Sequence, residues 1–331
     1  MRLLILGGTV FLGRHASEQA LERGHQLTLF TRGRTNAGLF PDAEHLHGDR
    51  DGGLAPLAGR EFDAVIDTSG YFPRVVADSA RLLAPTCGHY TFVSSVSVYD
   101  QNGGAGSDVD GPVGTIDDAT IEEITETSYG PLKALCEQAV EQQFGDRSLV
   151  VRPGLIVGPD DPTDRFTYWP ARIAEGGTVL APGSPAARTQ VIDVRDLAGW
   201  MVAMAERGGS GRFNAVGPAQ PLTIGALLDR CNAVSGAGAD IVWADNQALL
   251  DREVEPWSDL PLWLGGDPEL EWMDCVDPGP AMAAGLRHRP IDETIADTLA
   301  WHRANGDAPG RAGFRMSRER EAALLAELAL A

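Results

Sequence analysis

Tyr129 and Lys133 stand four residues apart, so one helical turn puts both on the same face. A free phenol has a pKa of ~10 and is a poor acid–base near neutrality. A neighbouring ammonium stabilises the phenolate and lowers that value. Upstream, the strand-like run His89–Ser94 ends in Ser94-Ser95-Val96-Ser97-Val98-Tyr99. A serine hydroxyl beside a substrate oxygen can hydrogen-bond a developing alkoxide or a carbonyl. Ser95 is the first choice for that hydroxyl, and Ser97 competes with it. A Tyr-x-x-x-Lys pair alone arises often on solvated helix faces. Its placement on the helix that follows the serine-bearing strand is what makes it informative.

A proton relay of this kind needs a hydride carrier beside it, and the N-terminus supplies a place for one. Leu3-Leu4-Ile5-Leu6 runs into Gly7-Gly8-Thr9-Val10-Phe11-Leu12-Gly13, with the third glycine opening a helix. A strand delivers a dinucleotide pyrophosphate to a helix N-terminus in this way. The expected cofactor contacts here are Gly7, Thr9, Val10, Phe11, Leu12 and Gly13. Val10 stands where a middle glycine is usual; it can still offer its N–H, provided its side chain turns away. After the second strand the chain reads Thr31-Arg32-Gly33-Arg34. An acidic residue there would favour NAD, whereas guanidinium groups suit a ribose 2′-phosphate. The expected cofactor is therefore NADP rather than NAD. The competing reading makes Arg32 and Arg34 solvated loop residues. Gly48-Asp49-Arg50 is expected to border the adenine, through Asp49 and Arg50, and Thr68, Ser69 and Gly70 to line the dinucleotide. Tyr71 reads as a packing residue, with a position facing the nicotinamide as the competing reading.

The elements that must position these groups alternate. Strand patterns cover Arg2–Leu6, Gln26–Thr31, Glu44–His47, Asp63–Asp67, His89–Ser94 and Ser148–Arg152. Helical patterns cover Leu12–Arg23, Arg74–Leu83 and Tyr129–Phe144. Alternation of this kind predicts an α/β fold, a doubly wound parallel sheet covered on both faces. Residues 1–154 are expected to form the dinucleotide-binding domain, joined by a returning strand near 211–216. Residues 155–331 read as a smaller, mostly helical substrate-binding region. Helices are expected at Val194–Ala205, Thr223–Val234, Pro278–Ala284, Ile291–Ala304 and Ser317–Leu330, the last with an apolar stripe at Ala322, Leu325, Leu328 and Ala329. The acidic, glycine-rich stretch Asp100–Ser128 breaks the pattern and reads either as a lid or as a solvated excursion.

Taken together, these segments resemble the extended short-chain dehydrogenases/reductases, the NAD-dependent epimerase/dehydratase group, and within it an atypical isoflavone-reductase-like branch. The resemblance rests on Gly7–Gly13, Ser94–Tyr99, Tyr129-Gly130-Pro131-Leu132-Lys133 and Arg152-Pro153-Gly154-Leu155-Ile156-Val157-Gly158-Pro159. Val191–Ala198 and Arg289–Ile295 match weaker motifs. It implies a Rossmann fold, Tyr129 as acid–base, Lys133 as its activator and ribose ligand, and Ser95 as hydroxyl partner. It also implies cofactor contacts at Ser94, Pro153 and Gly154, and a homodimer through paired helices. Dehydratases of the group carry an Asp-Glu pair where Val96 and Ser97 stand, so dehydration is disfavoured. The leading expectation is NADP-dependent reduction of a carbonyl or conjugated ketone on a small organic molecule. An NAD-dependent nucleotide-sugar epimerase is the alternative enzyme. A dinucleotide sensor or RNA-binding protein is the alternative outside catalysis.

Substrate contacts are expected from Arg165, Tyr168 and Trp169, besides Ser97. The competing reading of the aromatics is packing. The net charge of −20 over 331 residues argues against nucleic-acid or anionic-membrane partners. Four cysteines lack metal or disulfide spacing, so no metal is expected and a cytoplasmic setting fits. Leu3–Leu6 is too short for a signal-peptide core, and no stretch reaches membrane-span length.

Overall fold

Leu3, Leu4, Ile5 and Leu6 are all buried in the strand they form, β1 (Arg2–Leu6). A strand apolar at successive positions has to lie inside a sheet covered on both sides. The structure, a computed structural model, describes residues 1–100, 109–306 and 316–329. After β1 come α1 (Phe11–Glu22), β2 (Gln26–Thr31), β3 (Glu44–His47), β4 (Ala64–Asp67), α2 (Pro73–Leu83), β5 (Tyr90–Val93), α3 (Tyr129–Phe144) and β6 (Ser148–Pro153). Farther on come β7 (Leu155–Val157), α4 (Tyr168–Ala174), β8 (Thr178–Pro182), β9 (Arg188–Thr189), β10 (Val191–Asp193), α5 (Val194–Glu206) and β11 (Gly211–Ala215). The remainder is β12 (Leu222–Thr223), α6 (Ile224–Ser235), β13 (Asp240–Ala244), α7 (Asn246–Leu250), α8 (Gly279–Ala283), α9 (Ile291–Asn305) and α10 (Arg318–Glu327).

The first of two compact units comprises Met1–Ile156, Val194–Gly217 and Val276–Arg287. Its sheet runs β11-β6-β5-β4-β1-β2-β3, and every neighbouring pair is parallel. The returning strand is β11, in register with β6 from Gly211 against Leu149 to Ala215 against Pro153. It brings α5 and α8 into the same unit. From β1 the chain winds outward through β2 and β3. From β4 it winds the other way through β5 and β6. The reversal at the β1/β4 border opens a crevice at the carboxyl ends of the strands, where open α/β sheets bind ligands. Leu4, Leu6, Val65, Tyr90 and Phe92 pack against Val76, Ala80 and Leu83 of α2 and Cys136, Val140 and Phe144 of α3. On the other side α1 packs with α5.

The second unit comprises Val157–Asp193, Pro218–Cys275 and His288–Ala331. Its strands pair as β8 with β13, parallel, and β9 with β12, antiparallel. Asp193 accepts from Thr294 Oγ1 at 2.8 Å and lies 3.5 Å from Arg289 Nε, which joins the two weak C-terminal motifs physically. On α10 the buried face is Glu321, Leu324 and Leu325, while Ala322 and Ala329 of the expected stripe are exposed. The Glu321 carboxylate turns the helix. It accepts from Arg172 Nε at 2.7 Å, Leu180 N at 3.0 Å and Arg318 Nη1 at 2.6 Å.

Gly103, Gly104, Gly106 and Asp108 of the acidic stretch, and Leu330, lie outside the described residues. The described part of that stretch is tied down at several points. Asp100 N donates to Pro112 O, Gly114 N to Val98 O and Arg152 Nη1 to Val109 O. Arg74 of α2 pairs with both Asp51 and Glu122. Among the described residues no helix is long and apolar enough to cross a membrane. All four cysteines are unbridged.

Candidate functional site

The turn after β1 is built for close approach. Gly7 and Gly8 have φ of +108° and +100°, a region that costs other residues dearly. A Cβ on Gly7 would lie 2.6 Å from Thr68 Oγ1. On Gly13 it would lie 2.6 Å from Gly8 N, so α1 can press its first turn against the glycine turn only without a side chain there. Val10 precedes α1 in extended conformation, with its side chain 45% exposed. Phe11 follows at φ +37°, a strained value for a bulky residue. Leu12 and Thr9 are buried. The first turn of α1 contains no acidic residue, so no carboxylate competes for the helix N-terminus with an anion. This cradle fits a dinucleotide pyrophosphate. Asn36, which sequence reading missed, pins it by donating from Nδ2 to Thr9 O at 2.9 Å. Its contact spans 27 positions and has no motif to announce it.

Arg32 and Arg34 are both exposed just beyond β2, and neither pairs with a described residue. Asp49 is exposed too. Arg50 is corrected: its guanidinium turns inward and forks onto the buried Asp67 carboxylate, and its Nε donates to Ser79 Oγ at 2.9 Å. Tyr90 donates to the same carboxylate at 2.7 Å. That pairing uses most of the Arg50 donors on β4 and α2 rather than leaving them free for a ligand. The Thr68 and Ser69 hydroxyls donate to Leu6 O at 3.1 and 3.2 Å, closing the end of β4 onto the end of β1.

At the end of β5, Ser94 is buried and its Oγ has no partner among the described residues. A buried hydroxyl left unpaired costs about 1–3 kcal/mol, so this orphan is a natural contact for a bound group. Ser95 caps the 3₁₀ turn Val96–Val98, accepting from Ser97 N at 3.1 Å and donating to Ser97 Oγ at 3.0 Å. The two competing serines thus form one half-buried hydroxyl pair. α3 starts at Tyr129, and its next residue, Gly130, packs onto that turn. A Cβ there would lie 2.0 Å from Ser97 O. Glycine is therefore what lets the tyrosine-bearing turn touch the serine-bearing one.

Lys133 is buried one helical turn on, over the Phe92 ring at 4.3 Å from its centroid. Its Nζ donates to Gly70 O at 2.7 Å and Val93 O at 2.6 Å. Burial pushes its pKa down to about 8. An ammonium has three donors, so one remains beyond those two carbonyls. Tyr71 goes against the packing reading: the residue is 47% exposed, and its ring centroid lies 5.5 Å from Lys133 Nζ. Pro153 ends β6, and Gly154 follows with Val216 Cγ1 3.2 Å from where its Cβ would be.

The remaining candidates belong to the second unit. Arg165 is half-buried and donates from Nε to Thr163 Oγ1 at 3.0 Å. Tyr168 and Trp169 are both buried, edge to face with centroids 4.8 Å apart. Trp169 Nε1 donates to Pro261 O at 2.8 Å. Among the described residues no group of three or more His, Cys, Asp and Glu side chains could hold a metal.

The profile of the NAD dependent epimerase/dehydratase family matches residues 63–217. A chloroplast stem-loop binding protein of 41 kDa b, chloroplastic, from Arabidopsis thaliana, is 28% identical over 217 residues, 60% of this chain. The chain spans about half of that relative's length, 53%. Among solved structures, UDP-N-acetylglucosamine 4-epimerase from Bacillus cereus is similar over 93% of this chain and 99% of its own, with a TM-score of 0.67 at 14% identity. The human epimerase family protein SDR39U1 (isoform2), solved with NADPH, is similar over 91% and 99%, with a TM-score of 0.62 at 20% identity. The Bordetella bronchiseptica enzyme WbmH, in complex with NAD+, is similar over 92% and 99%, with a TM-score of 0.65 at 19% identity.

Proposed function

With residues 63–217 belonging to the NAD dependent epimerase/dehydratase family, we propose that this protein is an NADP-dependent oxidoreductase that reduces a carbonyl or conjugated ketone of a small organic molecule. A nicotinamide bound at the β1/β4 crevice would supply the hydride. The chain's own residues do the rest. The hydroxyl pair of Ser95 and Ser97 orients the substrate oxygen and stabilises charge on it. Tyr129 delivers the proton to that oxygen. Lys133 holds a positive charge in a dry setting, which favours the phenolate once Tyr129 has given up its proton. The third Lys133 donor is available to a ribose hydroxyl.

The observation that supports this reading is the packing of Gly130 against Ser97 O, which brings the helical turn that carries Tyr129 against the turn that carries the serine pair. NADP rather than NAD is supported by Arg32 and Arg34, exposed at the end of β2 and without partners among the described residues. The reading includes Gly7, Thr9, Val10, Phe11, Leu12, Gly13, Ser94, Pro153 and Gly154 as cofactor contacts. It also includes a homodimer acting in the cytoplasm. A second reading, nucleotide-sugar epimerisation with retained NAD, is supported by the likeness to the Bacillus cereus UDP-N-acetylglucosamine 4-epimerase.

Purified protein is expected to bind NADPH more tightly than NADH in a fluorescence titration. Arg32→Ala and Arg34→Ala should each weaken NADPH binding by roughly tenfold, the worth of a charge-assisted hydrogen bond, and leave NADH binding unchanged. Tyr129→Phe should lower turnover by about 10²–10⁴-fold with the fold intact by circular dichroism. Full turnover in Tyr129→Phe would refute the proton relay. Protein that emerges from purification carrying NAD and interconverts UDP- or dTDP-sugars would establish the epimerase reading instead.

A further inference from the structure

Tyr71 is the most exposed large hydrophobic side chain among the described residues, at 47%. The residue before it is nonetheless held in place. The preceding Gly70 gives its carbonyl to the buried Lys133 ammonium at 2.7 Å. A Cβ on Gly70 would lie 2.6 Å from Phe92 Cε2 and 2.7 Å from Val76 Cγ2, so the chain is gripped there from both sides. The ring itself is steadied by Lys133 Nζ, 5.5 Å from its centroid. Its hydroxyl has no hydrogen-bond partner among the described residues, and no side chain packs on the ring as part of a core cluster. An aromatic ring held this firmly and left this open forfeits the burial that usually places a tyrosine. It lies at the carboxyl end of β4, at the crevice, next to the lysine of the proton relay.

We propose that Tyr71 is a specificity-determining residue: its ring is the face on which a planar, conjugated substrate stacks. This rests on the reductase reading above and narrows it from carbonyl compounds in general to those whose carbonyl is conjugated with a ring or double bond. Offset or edge contact between π systems rewards such a partner beyond the area it buries. A saturated ring of the same size gains only the burial.

The test uses 4-phenyl-3-buten-2-one as the planar probe and 4-cyclohexyl-2-butanone as its saturated counterpart. Binding of each to the full-length protein with NADP+ is measured by calorimetry, so the result does not depend on turnover. Wild type should prefer the planar probe, and Tyr71→Ala should lose roughly three- to tenfold in affinity for it while binding the saturated probe within twofold. Tyr71→Phe should keep the preference. NADP+ affinity should be unchanged in both variants. Equal losses for both probes, no planar preference in wild type, or a weakened NADP+ affinity in Tyr71→Ala would each overturn the proposal. Oxidation of NADPH with the planar probe is followed separately. A stacking preference without any oxidation would leave Tyr71 as the platform and remove reduction as the reaction.

Discussion

Lys133 carries the sharpest electrostatic consequence of the site. Its ammonium is sealed between α3 and the ends of β4 and β5, on two backbone carbonyls and the Phe92 ring. Carbonyls and a ring face solvate a cation less well than water does, so burial lowers its pKa from 10.5 to about 8. The sign for stability follows. Between about 8 and 10.5 the unfolded chain holds a proton that the folded chain has released, so stability rises with pH across that window. Below about 8 the proton is bound in both states and that contribution is gone. The unfolding free energy of wild type minus that of Lys133→Met is therefore expected to grow between pH 8 and 10.5, as read by urea denaturation. A flat or falling difference would contradict a desolvated ammonium. The same deprotonation removes the charge that supports a Tyr129 phenolate. kcat/KM should accordingly fall on the alkaline side with a midpoint near about 8.

Between elements, the site depends on two glycine contacts that bring backbone against backbone. Gly13 lets α1 reach the glycine turn, and Gly130 lets α3 reach the serine turn. Gly130→Ala puts a methyl carbon 2.0 Å from Ser97 O, and neither backbone is a flexible side-chain end that can swing aside. The expected cost is ~1–3 kcal/mol by urea denaturation, the range for overpacking. Turnover should fall with it, because Tyr129 rides on the displaced turn. Wild-type stability in that variant would mean the contact is looser than it stands here. The Gly13 contact was within reach of sequence reading because that glycine sits in a local strand–turn–helix pattern; the Gly130 contact was not, although the expected span of α3, Tyr129–Phe144, matches the observed one. What was not legible depends on partners far away along the chain. Arg50 turns inward because Asp67, 17 positions on, comes to lie beneath it when β4 takes its place in the sheet. Asn36 finds Thr9 across 27 positions. The inward face of α10 is set by Arg172 and the Leu180 amide, more than 140 positions upstream. Hydrophobic periodicity cannot register such partners, since it counts apolar residues and the decisive group there is a carboxylate.

On the scale of the whole chain, the charge balance weighs against nucleic-acid binding. The net charge of −20 comes from 47 acidic against 27 basic residues. Many of the described arginines are already committed to carboxylates, among them Arg50, Arg74, Arg152, Arg172 and Arg212. A nucleic-acid surface needs cations left over to displace counterions from phosphates, and its affinity falls steeply as salt rises. Arg32 and Arg34, exposed and unpaired among the described residues, are two cations at the end of one strand rather than a track of them. The relative whose name denotes stem-loop binding shares 28% identity over 217 residues, about half of its own length. A stem-loop RNA is therefore expected to show no retardation in a gel shift with about 10 μM protein at ~0.15 M salt, conditions where even ordinary non-specific binders reach dissociation constants of ~10⁻⁴–10⁻⁶ M. NADPH binding measured in the same buffer should persist, because on the proposed reading it would use a helix N-terminus and two guanidinium groups rather than the mean field of the molecule. Retardation that weakens linearly in log affinity against log salt would return the chain to a nucleic-acid role, with Arg32 and Arg34 the first residues to substitute.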